Sequence, residues 1–209
     1  VEMADRNHLY KTAAKEIAAA HGCSVTFMAK YAFDDTGSSC HIHSSLRTSD
    51  GRSAMPGSGA HHLSDTFRWY LGGLIATARE FAILWAPTIN SYKRFQPGSW
   101  APTGVGWGID NRTLGFRVVG HGESLRLESR IPGADANSYH AFAGTIAGGL
   151  YGIEHRIEPP APFEGNGYEA RDIDRIPWNI ADGRRSIARS PIGSGAATSS
   201  ASDPLRCSP

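Results

Sequence analysis

Between residues 90 and 130, cationic side chains recur on short, β-prone segments that Gly and Pro keep interrupting. Lys93 and Arg94 come first, Arg112 and Arg117 follow, and Arg126-Leu127-Glu128-Ser129-Arg130 closes the stretch. Such punctuation excludes a long helix and limits each strand to a few residues. Arginine concentrated on β segments suits an anionic ligand. On the closing segment a strand puts Arg126, Glu128 and Arg130 on one face and Leu125, Leu127 and Ile131 on the other. A ladder of surface charges accounts for that face. So does a metal-binding carboxylate flanked by phosphate-binding arginines.

A second alternating run lies at residues 39–46, where His41, His43 and Ser45 share one face and Cys40, Ile42 and Leu46 the other. Two readings stay open: a half-exposed strand, or a site face whose imidazoles ligate a metal or meet phosphate.

Around these runs the hydrophobic period predicts three helices. Residues 4–20 carry Leu9, Ala13, Ile17 and Ala20 as a stripe, with Gly22 as the stop signal. Residues 66–85 carry Phe67, Tyr70, Leu71, Leu74, Ala78, Phe81 and Trp85; Ser64 or Asp65 starts this helix and Pro87 ends it. Residues 137–154 are rich in Ala and Gly, with Phe142, Ile146, Leu150 and Ile153 as the stripe and the small residues packing on the sheet. Strands are expected at 24–31, 113–119 and 124–131, the last two joined by a turn at 120–123. Residues 49–62 and 90–108 read as loops, the latter with two short extended pieces. Residues 183–209, dominated by Ser, Gly, Ala and Arg, are expected to be a disordered tail.

A chain of 209 residues with 40% hydrophobic content builds one domain with a sizeable core. A formal charge of +1 leaves no global field for nucleic acid or a membrane surface. Residues 71–78 are too short to span a bilayer. Three cysteines without CxxC spacing favour a reduced, cytoplasmic setting. The chain begins on Val1 inside a helical pattern, and it is expected to be a piece of something longer.

Four segments in order resemble the glutamine synthetase family: Thr36-Gly37-Ser38-Ser39-Cys40-His41-Ile42-His43-Ser44-Ser45, Asn90-Ser91-Tyr92-Lys93-Arg94-Phe95-Gln96-Pro97-Gly98, Asn111-Arg112-Thr113 with Arg117, and Arg126 through Asn137. The resemblance covers about residues 1–180. It implies an α+β fold, an incomplete catalytic domain at residues 1–182 with a largely antiparallel curved sheet and packing helices. It also implies an ATP-dependent ligase that joins ammonia or another amine to the γ-carboxylate of glutamate through γ-glutamyl phosphate, with Mg²⁺ or Mn²⁺ as cofactor. In that reading His41 and Glu128 are metal ligands. His43, Ser45, Arg112 and Arg117 contact the nucleotide. Gly37, Arg94, Trp100 and Arg130 line the glutamate and amine site, and Arg94, Arg112 and Arg130 act in catalysis. The implied whole protein is a ring-forming homo-oligomer.

Three departures qualify the resemblance. Ammonia-using members carry an acid six positions after the arginine matching Arg94; here that position is Trp100, which favours a larger amine of the polyamine or ethanolamine kind. Thr36 stands where many members have Asn. The family's N-terminal domain and its further acidic metal ligands would precede Val1. An inactive chain that retains only part of the ATP and metal binding is therefore the competing expectation.

Overall fold

The computed structural model describes residues 1–188. Helix α1 runs over Glu2–Ala20. It stops as Gly22 takes φ 68°, and the amides of Gly22 and Cys23 return to the carbonyls of Ala19 and Ala18. The expected stripe is not buried. Leu9 and Ile17 are 68% and 61% exposed, and only Ala4 is enclosed.

Residues 24–31 form no strand, because no strand of the sheet runs beside them. One side-chain amide replaces a ladder there. The Lys30 amide donates to Asn90 Oδ1 at 2.9 Å, and Asn90 Nδ2 donates to the Lys30 carbonyl at 2.6 Å.

The sheet has four strands, β1 (Ile42–Ser44), β2 (Trp107–Ile109), β3 (Phe116–Val119) and β4 (Arg126–Ser129), in the order β1-β4-β3-β2. β4 pairs antiparallel with β1 and β3, while β2 joins β3 in parallel. The strands are shorter than expected for local reasons. The Cys40 amide still reaches the Pro132 carbonyl, but Pro132 has no N–H to return and the ladder ends. β3 starts late because Asn111 Oδ1 accepts from both the amide and the hydroxyl of Thr113, holding a turn.

Helix α2 (Asp65–Trp85) is the spine of the core. Ser64 caps it, accepting from the Phe67 amide at 3.0 Å. Its ring at Trp85 meets Phe116 of β3 edge-on at 6.5 Å, so the helix covers the sheet directly. The start of the loop expected at 90–108 falls in a single helical turn, α3 (Ile89–Tyr92), closed by a reciprocal Thr88–Ser91 cap.

Helix α4 (Ser138–His155) is capped by Asn137, and only half of the expected stripe faces inward: Phe142 and Ile153 pack half-buried against the core. Ile146 and Leu150 are each 56% exposed, and the buried face is Ala141, Gly144, Thr145, Gly148, Gly149 and Gly152. The small residues pack on α2, not on the sheet. A Cβ on Gly73 would lie 2.2 Å from the Gly148 carbonyl, so the two backbones touch.

Helix α5 (Ile180–Ala188) runs through the expected domain boundary at 182/183. The remainder of the expected tail, 189–209, lies outside the described residues. Among the described residues no helix is long and apolar enough to cross a membrane.

Candidate active site

Glu128 is the hub. The β1–β4 register sets it opposite His43, and the β3–β4 register sets it opposite Arg117. Side chains two residues apart share a face, so His41, Arg126 and Arg130 join them. Glu128 is 3% exposed. Its Oε1 lies 2.9 Å from His41 Nδ1 and accepts from Arg130 Nη1 at 3.1 Å, and its Oε2 accepts from Arg117 Nη1 at 2.9 Å. Burial opposes its ionisation, but the hydrogen bonds from His41 and Arg117 and the charge of Arg130 win and hold its pKa at about 2. His43 Nε2 stands 3.9 Å from the same carboxylate, and Arg126 Nε donates to His43 Nδ1 at 3.2 Å. Burial depresses the His43 pKa, with Glu128 pulling partly the other way.

Beside this face lies a pocket of about 140 Å³, bounded by Gly37, His41, Arg94, Trp100 and Arg130. Gly37 is required by close approach: a Cβ there would meet the Ala29 carbonyl at 2.7 Å and the Arg94 stem at 2.8 Å. Arg94 is 2% exposed, and its guanidinium commits both Nη groups to the backbone. Nη2 donates to the carbonyls of Arg130 and Pro132, each at 2.9 Å. Burial pulls the Arg94 pKa down to about 10. Arg130 reaches the Trp100 carbonyl with Nη2 at 3.2 Å. The Nε atoms of Arg94 and Arg130 are buried without a partner, donors left over beside the pocket. Trp100 is 63% exposed and held at φ 61°, a region that non-glycine residues seldom adopt.

The sheet face and the pocket thus bring together eight of the residues singled out in the sequence: Gly37, His41, His43, Arg94, Trp100, Arg117, Glu128 and Arg130. Ser45 stands apart, while Arg112 is near enough for its charge to act on Arg130. Both are exposed, and among the described residues no hydrogen bond or ion pair engages them.

Sequence reasoning missed two neighbours. Asp110, in the left-handed region at φ 50°, accepts from Arg117 Nε at 2.8 Å and also from Nη2, so Arg117 is stretched between two carboxylates. Tyr168 presses against the Trp100 backbone near Arg130 and Arg94, with burial raising its pKa and these neighbours opposing. Its hydroxyl is buried without a hydrogen-bond partner. A turn places Asp110, and a long irregular segment delivers Tyr168; neither leaves a periodic signal.

The donor set fits part of a metal site. His41 Nδ1 and Glu128 Oε1 are close enough for one divalent cation to share. Among the described residues no group of three or more His, Cys, Asp or Glu side chains is placed to enclose one.

Residues 1–193 match the family profile described as glutamine synthetase, catalytic domain. The chain belongs to the glutamine synthetase family. It is 56% identical over 178 residues to a γ-glutamylethanolamide synthetase of Streptomyces coelicolor, an alignment covering 85% of this chain and 38% of that protein. It is 42% identical over 175 residues to a glutamate–isopropylamine ligase of a Pseudomonas species, covering 81% of this chain and 37% of the relative. A solved structure of GmaS with ADP superposes with a TM-score of 0.85 at 34% identity, over 94% of this chain and 47% of that one. The chain therefore spans 37% to 47% of the length of these relatives.

Proposed function

We propose that these residues form part of the active site of an ATP-dependent ligase that joins an amine to the γ-carboxylate of glutamate. One observation carries the reading: an ionised, enclosed Glu128 bound by His41, Arg117 and Arg130 at the rim of an arginine-walled pocket. The family membership supplies the reaction. The γ-carboxylate takes the terminal phosphoryl group of ATP, and the amine nitrogen then attacks the acyl carbon. A C–N bond forms, the C–O bond to phosphate breaks, phosphate leaves, and the amine loses a proton.

This chain's residues divide the work by charge. Arg130 and Arg117 present guanidinium groups to phosphoryl oxygens once Glu128 and Asp110 release them. Arg94 holds the backbone at 130–132 and aligns Arg130 with the pocket. His41 and Glu128 would hold one Mg²⁺ or Mn²⁺, which when bound neutralises phosphate charge. His43 lies where a nucleotide phosphate would border the sheet face, and Arg112, exposed nearby, is free to reach the same ligand. The cytoplasmic setting and the ring-shaped assembly expected from the sequence belong to this proposal.

The acceptor is read as an amine larger than ammonia. Trp100 puts a neutral ring where an ammonium site needs an acid. The named relatives support this, since one is an ethanolamide synthetase and another an isopropylamine ligase. Phosphate release measured with glutamate, Mg²⁺, ATP and a panel of amines tests the reading. Release stimulated by ethanolamine or isopropylamine, and weakly by ammonium, is expected. No stimulation by any amine, in protein of the length of the named relatives, would overturn it.

The two-donor metal set favours a second reading for residues 1–209 by themselves, namely binding of metal and nucleotide without turnover. Titration with Mn²⁺ and ADP alongside the phosphate assay separates the two.

A further inference from the structure

The arginine-walled pocket hangs on the single turn α3, which ties together segments far apart in the chain. Asn90 trades two hydrogen bonds with the backbone of Lys30. Arg94, just past the end of the turn, donates to the carbonyls of Arg130, Ile131 and Pro132 after β4. Thr88 and Ser91 cap the turn with their hydroxyl oxygens, which leaves both hydroxyl protons to be placed. Both go to one atom: Asp135 Oδ2 accepts from Thr88 Oγ1 at 2.8 Å and from Ser91 Oγ at 2.6 Å.

The other carboxylate oxygen, Oδ1, is buried without a hydrogen-bond partner. Gly133 makes room for it, since a Cβ there would lie 2.5 Å from Oδ1. The charge of Asp135 is answered across space. Arg94 is 2% exposed, and its hydrogen bonds go to neutral carbonyls, so its own charge needs a partner. Burial pulls the Arg94 pKa down, and the Asp135 carboxylate is the largest influence holding it up. The segment at 130–135 and the turn α3 are therefore linked in both directions. Hydroxyls of α3 reach Asp135, and the guanidinium beyond α3 reaches the carbonyls before it. Two opposed links of this kind fix a distance, where one would leave a pivot.

We propose, on the ligase reading, that Asp135 is a positioning residue for glutamate: it clasps α3 to the backbone after β4 and so sets the spacing of Arg94 and Arg130 across the pocket. Asp135 does not line that pocket and acts only through the two arginines. A substrate with two carboxylates depends on cationic donors held at a fixed separation. The triphosphate of ATP is gripped elsewhere on the sheet face, so the clasp governs one substrate and not the other.

Asp135→Asn tests this, because it keeps an oxygen for Thr88 and Ser91 and removes the charge. In protein of the length of the named relatives it is expected to raise KM for glutamate about tenfold while KM for ATP stays within about twofold. A residue that merely closes the turn would tolerate Asn. Unchanged KM for glutamate, or equal rises for glutamate and ATP, overturns the proposal. A second measurement needs no turnover. Hydrogen exchange at the buried Arg94 Nε, followed by nuclear magnetic resonance in the 209-residue chain, should quicken about tenfold in Asp135→Asn and in Ser91→Ala. Exchange as slow as in the wild type overturns the clasp. Wild-type protein that releases no phosphate with any amine sinks the ligase reading instead, and the exchange rates then judge the clasp by themselves.

Discussion

Glu128 shows how much chemistry one side chain can carry when its surroundings are arranged for it. Enclosed and contacted by two arginines and a histidine, it is both a structural counter-ion and a candidate metal ligand. Glu128→Gln leaves Arg117 and Arg130 crowded without a carboxylate, and it should cost about 3 kcal/mol in urea unfolding while abolishing Mn²⁺ binding. The pH dependence follows from the lowered pKa. A depressed carboxylate contributes stability that is complete above its unfolded pKa, near the ordinary glutamate value of 4.5, and that is lost as pH falls toward about 2. Acid unfolding of the wild type should therefore be steep in that window, and flatter in Glu128→Gln. Trp100 carries specificity at the same scale. Trp100→Glu should raise kcat/KM for ammonia relative to ethanolamine by about tenfold in catalytically competent protein, since it returns a counter-ion for ammonium and removes a ring. An unchanged ratio would remove Trp100 from the specificity argument.

At the scale of elements, the α2–α4 contact governs the domain. Gly73 and Gly152 lie backbone to backbone, and a Cβ on either would approach the other helix to within 2.5 Å. Ala is the better helix former, by about 1 kcal/mol. Even so, Gly73→Ala should destabilise by about 3 kcal/mol in thermal or chemical unfolding, because overpacking at a backbone contact outweighs propensity. A neutral or stabilising outcome would mean that the helices can separate without loss. The outward turn of half the α4 stripe has the same cause. Its larger residues Ile146 and Leu150 point outward because only the glycine face lets α2 come close enough to cover the sheet.

For the molecule as a whole, charge is separated around one wall, with arginines inside Trp100 and carboxylates outside it. Helix α1 presents Leu9, Tyr10 and Ile17 to solvent, each more than 60% exposed. These side chains contribute nothing to the core. The double substitution Leu9→Lys with Ile17→Lys should therefore leave the unfolding free energy within about 0.5 kcal/mol, and should reduce self-association in sedimentation. A large loss of stability would place a hidden partner on this face.

Much of the site was legible because strands alternate. Period two alone put Arg126, Glu128 and Arg130 together and set His41 with His43, and the family resemblance joined the two strands. Ser64, Gly22 and the α2 stripe were equally readable, since capping and burial act within a few residues. Registers between strands are long-range and leave no local trace, so the pairing of Glu128 with Arg117 and His43 emerged only from the folded sheet. The same holds for residues 24–31, whose β-prone sequence found no neighbour to pair with. It holds for Asp110 and Tyr168, which reach the site through turns and loops. Local sequence determined which side chains share a face and where helices stop. Only the tertiary structure decided which faces meet, because that depends on backbone approach and strand register, set by contacts between residues far apart in the chain.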